Sequence, residues 1–256
     1  MMLIKAKTFK GYKLHCSDGE IGKVSEFIFD DLNWTVRYLT VETGTWLMDR
    51  QVLISPQAVN ATDEESEYIT VDLTKKQIEE SPLLYKDSPI SRQFETSFNQ
   101  YYGLPTYWNG PSIMALNPNI LNETAAYKEA MQGDIGLEPH LRSTDNVDGR
   151  RVHATDGEIG HVKDFIIDDK AWVIRYLVIS TQNWLPGRKV LISPKWIERI
   201  GWDDFAVYIK VHREAVKLSP EYSDDRALNR DYEDELHKHY DQKGYWDTKP
   251  DDNNAE

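Results

Sequence analysis

Two adjacent pairs of aspartates are the residues of this sequence best suited to chemistry. Asp30-Asp31 and Asp168-Asp169 each follow an apolar run, and paired carboxylates can bind a hard cation or shuttle a proton. Metal binding would need further oxygen ligands, and neither stretch has the Asp-x-Asp-x-Asp-Gly pattern of a calcium loop. The favoured interpretation is therefore a hairpin turn in which the Asp side chains accept hydrogen bonds from backbone N–H groups.

An arginine on an apolar segment accompanies each aspartate pair. Arg37 lies in WTVRYLTVET and Arg175 in WVIRYLVIST, where burial of an unpaired guanidinium would be costly. The nearest acceptors are the Asp pairs across the predicted hairpin. We therefore predict a structural salt bridge in each copy, and not a ligand site, from the residues Asp30, Asp31, Arg37, Asp168, Asp169 and Arg175.

The other signals for chemistry are weak. His15 and His153 occupy equivalent positions, but neither has a second ligand at metal-binding spacing. The single cysteine, Cys16, cannot form an internal disulfide, and its counterpart is Ala154. The sequence also lacks a Ser-His-Asp set, a Walker loop and a dinucleotide-binding glycine pattern. We expect no catalytic residue, no metal ligand and no cofactor, and thus a protein that is not an enzyme.

The aspartate pairs belong to an internal duplication. DGEIGKVSEFIFDD at residues 18–31 returns as DGEIGHVKDFIIDD at residues 156–169, an offset of 138 positions. The same offset aligns residues 11–56 with 149–194, and 25 of these 46 pairs are identical. It also matches Glu95 with Glu233 and Tyr-Trp at 107–108 with Tyr-Trp at 245–246. Each repeat is therefore a unit of roughly a hundred residues.

Each repeat has the pattern of a small β-barrel followed by helices. WTVRYLTVET is rich in β-branched and aromatic residues, and strand-like runs recur at residues 12–16, 24–29, 51–55 and 68–73. About five short strands at regular spacing predict a closed or nearly closed barrel. After them, Thr74 and Gln77 predict a capping box ahead of a short helix. A second helix is predicted over residues 92–102, where large apolar residues fall on one face.

The predicted organisation is a mainly β chain with two small barrels in tandem, each followed by short α-helices. Residues 109–141 form a linker with one short helix near residues 123–131, and their prolines predict the earliest proteolytic cleavage there. The predicted boundaries are barrel 1 at 1–80, extension 1 at 81–108, the linker at 109–141, barrel 2 at 142–218, extension 2 at 219–247 and a disordered tail at 248–256.

The repeated segment resembles the PRC-barrel domain. The resemblance is carried by DGEIGKVSEFIFDDLNWTVRYLTVETGTWL with RQVLISPQAV, by the matching copy in the second repeat, and by the D-G-x-I-G opening of both copies. That domain forms the cytoplasmic part of the photosynthetic reaction-centre H subunit and half of a ribosome maturation factor. This sequence contains no segment with the pattern of that membrane helix or of that RNA-facing domain, so neither specific role is expected. The resemblance implies a barrel used as an assembly or interaction module, without catalytic residues.

Composition and charge narrow the class of protein. The chain is 40% hydrophobic and 29% charged, which is ordinary for a globular protein. We expect no membrane span, because no window approaches 18 apolar residues, and a cytoplasmic location, because the beginning of the chain lacks the apolar core of a signal peptide. The net charge of -13 is spread over both repeats and argues against a nucleic-acid partner.

The predicted function is that of an adaptor or regulatory interaction module with a protein partner. The aromatic extensions are predicted to pair the two repeats within the chain, although each could instead cover its own barrel, and a homo-oligomer is a further arrangement that the pattern allows. The alternative function is a sensor that binds a small ligand or ion between the two barrels. The predicted interaction surface consists of Phe94, Phe98, Tyr102, Tyr107, Trp108, Tyr232, Tyr240, Tyr245 and Trp246.

Overall fold

The computed structural model describes residues 2–48, 50–85, 88–108, 140–181, 187–224 and 228–247. The predicted linker helix and the predicted disordered tail lie outside these residues. The described chain is mainly β and forms two compact units. The first unit contains Met1–Val147 and Ile166–Ile174, and the second contains Asp148–Phe165 and Arg175–Glu256. The units therefore do not coincide with the two sequence repeats.

The described residues of the first repeat form seven strands and three helices. They are β1 (Leu3–Lys5), α1 (Ala6–Phe9), β2 (Lys13–Cys16), β3 (Gly19–Asp30), β4 (Thr35–Glu42), β5 (Val52–Ile54), β6 (Val59–Asp63), β7 (Tyr68–Val71), α2 (Lys75–Glu79) and α3 (Arg92–Tyr102).

The second repeat follows the same order. Its elements are β8 (Leu141–Ser143), α4 (Thr144–Val147), β9 (Arg151–Ala154), β10 (Gly157–Asp168), β11 (Ile174–Ser180), β12 (Lys189–Ile192), β13 (Ile197–Gly201), β14 (Ala206–Ile209), α5 (Arg213–Leu218) and α6 (Arg230–His239).

The strand order is the same in both sheets. In the first sheet the neighbours run β5-β4-β3-β2-β7-β6, and in the second they run β12-β11-β10-β9-β14-β13. The pairs β2–β7 and β9–β14 are parallel, whereas the hairpins are antiparallel. The long strand of each repeat changes register where it curves, for example between Val24 and Glu26 in β3. Such irregularities allow one strand to turn around a small core.

In the first unit, two strand pairings join segments that belong to different sequence repeats. β1 pairs antiparallel with residues 166–168 of β10, and β8 pairs antiparallel with residues 28–30 of β3. Both pairings lie inside the first unit. Strand β1 was not predicted from the sequence, because three residues are too few for a periodic signal. Strand β6 was not predicted either, because its sequence VNATD is mostly polar and only pairing with β7 holds it extended.

The two helices predicted after the first barrel are present. The capping box before α2 is confirmed, because Thr74 Oγ1 accepts from the Gln77 N–H at 3.2 Å and Gln77 Oε1 accepts from the Thr74 N–H at 2.8 Å. α3 begins after Ser91, whose side chain accepts from the Phe94 N–H, and ends at Gly103 in the left-handed conformation. This helix places the aromatic face of the extension on the barrel.

Candidate functional site

The first predicted hairpin joins an arginine to one of its two aspartates. Arg37 Nη2 donates to Asp30 Oδ2 at 2.9 Å, and Asp30 is buried. Asp30 Oδ1 also accepts from the N–H groups of Leu32 and Asn33, which fixes the turn. The residue Asp31 has other partners.

Those partners of Asp31 come from the beginning of β8. Arg142 Nε donates to Asp31 Oδ2 at 3.0 Å, and His140 Nδ1 lies 3.3 Å from Asp31 Oδ1. Burial raises the pKa of Asp31, while Arg142 and His140 oppose that shift. The two aspartates of the first hairpin thus have different roles. Asp30 fixes the turn and pairs with Arg37, whereas Asp31 binds residues at the beginning of β8.

The second aspartate pair supports its turn in the same way. Asp168 Oδ1 accepts from the N–H groups of Lys170 and Ala171, each at 3.0 Å. Asp169 Oδ1 accepts from the Met2 N–H at 2.7 Å. An ion pair of these aspartates with Arg175 stays a prediction. Among the residues that the structure describes, no group of three or more His, Cys, Asp and Glu side chains could hold a metal ion.

A buried carboxylate between barrel and extension is the most organised polar site in the first unit. Glu95 on α3 is fully buried, and its Oε1 accepts from Tyr38 Oη at 3.0 Å and from Tyr107 Oη at 2.8 Å. Its Oε2 accepts from Arg92 Nη1 at 2.7 Å. The Arg37 guanidinium lies 3.7 Å from the centre of the Tyr107 ring. Barrel, helix and the segment after the helix therefore meet at one carboxylate.

The second unit repeats this cluster. Glu233 on α6 accepts from Tyr176 Oη and Tyr245 Oη, both at 2.9 Å, and pairs with Arg230 at 3.1 Å. The Arg175 guanidinium lies 4.0 Å from the Tyr245 ring centre. Every member is 138 positions from its equivalent in the first unit. The cluster is therefore a property of the repeat.

Burial dominates the electrostatics of both clusters. It raises the pKa of Glu95 and of Glu233, while the phenol hydroxyls and the arginines oppose this rise. Burial and the adjacent carboxylate also raise the pKa of Tyr38 and Tyr176 far above that of a free phenol. Structural ion-pair networks perturb pKa values as catalytic sites do, so these shifts alone do not indicate catalysis.

Several of the predicted interaction residues pack against the barrel that precedes them, and others contact their own extension helix. Phe98 is buried with Ile28, Tyr38 and Leu53, and Phe94 and Tyr102 pack against this cluster. The Trp108 ring lies 4.2 Å from the Arg92 guanidinium. In the second unit, Tyr232 and Tyr240 are buried, and the Trp246 ring lies 4.0 Å from the Arg230 guanidinium. Pairing of the two repeats through these extensions stays a prediction.

Two adjoining cavities open beside the first cluster. The larger, of about 300 Å³, is lined by residues from the barrel, the extension and the segment 169–173, among them Arg37, Asn99 and Tyr107. The smaller, of about 170 Å³, lies between Ala58 and Tyr102. Ser55, Gln57 and Leu104 border both cavities. They form one groove between barrel and extension in the first unit.

The glutamate clusters and this groove were not predicted from the sequence. The fixed offset that matches Glu95 with Glu233, Arg92 with Arg230 and Tyr107 with Tyr245 was the signal that could have identified the clusters. A carboxylate among aromatic residues on an amphipathic helix is ordinarily expected on the solvent side. The groove has no sequence motif, because it results from a small residue at one position.

Each unit thus combines a small barrel with a helical extension held at a buried carboxylate. The family model of the PRC-barrel domain matches residues 4–78 and 141–216, which together make up more than half of the chain. The protein belongs to the PRC-barrel domain family and carries this domain twice. The comparison with curated proteins gave no match. No helix among the described residues is long and apolar enough to cross a membrane.

Proposed function

We propose that this protein is a non-enzymatic interaction module that presents an apolar surface of its first repeat to a protein partner. The observation that carries the proposal is a set of three exposed apolar side chains on two paired segments, here called the apolar patch: Met48, Leu83 and Tyr85 are 63%, 51% and 62% exposed. Arg50 and Tyr85 form an antiparallel bridge, and the Gln51 N–H donates to the Leu84 carbonyl at 2.9 Å. This pairing brings the two segments of the patch side by side. Clustered exposed apolar side chains are typical of interaction sites.

The barrel itself does not require this patch. In the second repeat the counterpart of Leu83 is Glu221, and that of Tyr85 is Ser223. The intervening Leu84 and its counterpart Tyr222 are both buried, so the segment has the same orientation in both copies. One copy therefore folds with polar residues where the other exposes apolar ones, which supports a role of the patch outside folding.

The buried clusters support the same proposal. The carboxyl groups of Glu95 and Glu233 each accept from two phenols and pair with an arginine. They hold each extension on its barrel and give the module a preorganised surface, which lowers the entropic cost of binding. Both the cytoplasmic location and a ligand site between the repeats stay predictions.

The proposal is tested by giving the patch the residues of the other copy. A Leu83→Glu, Tyr85→Ser double variant should reduce quantitative capture of a partner from native lysate by about tenfold or more, since apolar anchors dominate binding. The matched control is Leu218→Glu, which removes a 65% exposed leucine from the second repeat and copies its counterpart Glu80. Equal partner recovery by wild type and the double variant, with unchanged circular dichroism, would contradict the proposal.

A further inference from the structure

The two repeats have the same backbone but different side chains at one turn beside the extension. Ser55 caps a 3-10 turn at Pro56–Ala58, and Ser193 caps the same turn at Pro194–Trp196, with φ and ψ of the caps equal within 3°. The N–H of Ala58 and that of Trp196 each donate to the capping serine carbonyl at 2.9 Å. The Cα atoms of Ala58 and Trp196 therefore occupy equivalent positions in the two repeats.

In the second unit the indole of Trp196 fills the space between barrel and extension. Trp196 is 4% exposed, and its ring centre lies 4.4 Å from that of Tyr240 and 5.3 Å from that of His237. His237 in turn hydrogen-bonds Tyr176 Oη and the Lys243 carbonyl through its two ring nitrogens. The aromatic contacts of Trp196 and both hydrogen bonds of the His237 ring thus lie within the second unit.

In the first unit the same space is a cavity. Ala58 replaces the tryptophan, and Tyr102, the counterpart of Tyr240, borders the cavity of about 170 Å³ together with Phe98 and Leu104. A cavity of about 150 Å³ with apolar walls is sufficient to bind benzene. The tyrosine ring provides a face on which a planar aromatic group can stack.

The counterpart of His237 supplies a polar group at the edge of this groove. Asn99 is 5% exposed and lines the larger cavity. Its backbone carbonyl accepts from the Leu104 N–H, as the His237 carbonyl accepts from the Gln242 N–H. No described residue, however, hydrogen-bonds the side-chain amide of Asn99. An amide that lines a mostly apolar cavity can hydrogen-bond the polar edge of a ligand.

We propose that the first unit binds a planar aromatic small molecule of about the size of indole at the position that the Trp196 side chain occupies in the second unit. The ring stacks on Tyr102 and contacts Phe98 and Leu104. Its polar edge points into the larger cavity, toward the Asn99 amide. A mostly apolar groove with one polar group that sets orientation is the common design of small-molecule sites. This site is separate from the apolar patch proposed for the protein partner.

Indole is the probe that tests the site, in a titration of the full-length protein followed by two-dimensional NMR of backbone amides. We expect saturable shifts at residues around Ala58 and Tyr102 with a Kd on the order of millimolar or tighter, as befits a ligand of this size. The Ala58→Trp variant, which copies the second repeat, should weaken binding by at least about tenfold. If that variant does not fold, Ala58→Leu fills part of the cavity and should weaken binding severalfold.

The reciprocal variant provides the matched control. Trp196→Ala should create an equivalent cavity in the second unit and add shifts around Tyr240 at similar indole concentrations. An absence of binding to wild type, or undiminished binding to Ala58→Trp, would overturn the proposal. Equal or tighter binding of the blocked peptide Gly-Trp-Gly would overturn the assignment to a small molecule and indicate an aromatic side chain of a partner instead.

Discussion

Glu95 and Glu233 show how a buried charge can hold two elements together. Each carboxyl group lies on the extension helix, while one of its phenol donors comes from the barrel strand and the other from the segment after the helix. Removing a single donor leaves a buried acceptor without one of its hydrogen bonds. The cost of such a change exceeds the net contribution of an ordinary hydrogen bond.

The first prediction concerns the phenol that the barrel provides in the second unit. Tyr176→Phe should lower the free energy of unfolding by about 1–3 kcal/mol, because it leaves the buried Glu233 one donor short. Urea unfolding measures this change. In the control, Tyr208→Phe removes an exposed hydrogen bond to Asp204 and should cost no more than about 0.5 kcal/mol. Equal effects of both substitutions would mean that the cluster does not stabilise the fold.

A second prediction concerns pH and His237. Burial lowers the pKa of His237, with Lys195 contributing and Asp247 and Asp234 opposing. A base whose pKa is lowered by folding binds its proton more readily in the unfolded state. Its contribution to stability is therefore complete above the ordinary histidine pKa of about 6.5 and is lost as the pH falls below it.

Replacing this histidine by its counterpart in the first repeat tests the pH dependence. Urea unfolding is measured at about pH 7.5 and about pH 5.5, roughly one unit above and below the ordinary histidine pKa. Between these values the free energy of unfolding of His237→Asn should fall less than that of wild type. The exposed His212 gives the control, since His212→Asn should retain the pH dependence of wild type. Parallel pH profiles of His237→Asn and wild type would refute the assignment.

At the scale of elements, the repeated D-G-x-I-G motif is explained by contact between strands. The second glycine, Gly22 in β3, has φ of 152°, and a Cβ at this position would lie 2.1 Å from the Glu42 carbonyl oxygen of β4. Gly160 has the same environment, with the Ser180 carbonyl oxygen 2.0 Å from a Cβ. Only glycine allows the curved strand to approach its neighbour this closely.

The prediction at this scale compares two glycines with positive φ in the first unit. Gly22→Ala should destabilise by about 3 kcal/mol or more, because strand β4 must move in addition to the backbone strain. Gly11 also has positive φ, but nothing lies within 4 Å of its would-be Cβ, so Gly11→Ala should cost only about 1 kcal/mol. Thermal unfolding of the two variants measures the difference. If both variants lose a similar free energy of unfolding, the glycine of the motif is required for its backbone conformation alone and not for the close approach of β4.

At the scale of the whole molecule, the first unit is assembled from segments that are far apart in sequence. Strand β8 and helix α4 belong to it, as do residues 166–174. The Phe27 N–H donates to Thr144 Oγ1 at 3.2 Å, and the Trp34 carbonyl accepts from the Ile174 N–H at 2.7 Å. The first repeat by itself lacks these partners, and unpaired strand edges favour association.

The fourth prediction is that a fragment of residues 1–108 is markedly less stable than the first unit in the full chain. It lacks the strand that pairs with residues 28–30 of β3 and the segment that pairs with β1. Adding a fragment of residues 140–256 should restore stability and give a one-to-one complex, measured by light scattering and thermal unfolding. A fragment 1–108 that is monomeric and as stable as in the full chain would contradict this prediction.

Four features could be predicted from the sequence alone: the duplication, the mainly β class, the capped helix α2 and the aromatic face of α3. These features depend on local spacing and residue type, so a linear pattern is enough to predict them. The hairpin aspartates were also recognisable, because Asx turns involve residues only two or three positions apart. The polar strand β6 and the short strand β1 were not, because their conformation comes from pairing with a neighbour.

The positions of the buried charges and of the cavities, by contrast, became evident only in the folded chain. Tyr38 and Glu95 are 57 residues apart, and neither neighbourhood in sequence shows that their side chains meet in the core. The partner of Asp31 is Arg142, 111 residues away, although a closer arginine was available in sequence. The groove beside Ala58 exists because a small residue faces a helix that packs from elsewhere in the chain. Such features depend on distances in space, which the order of residues does not contain.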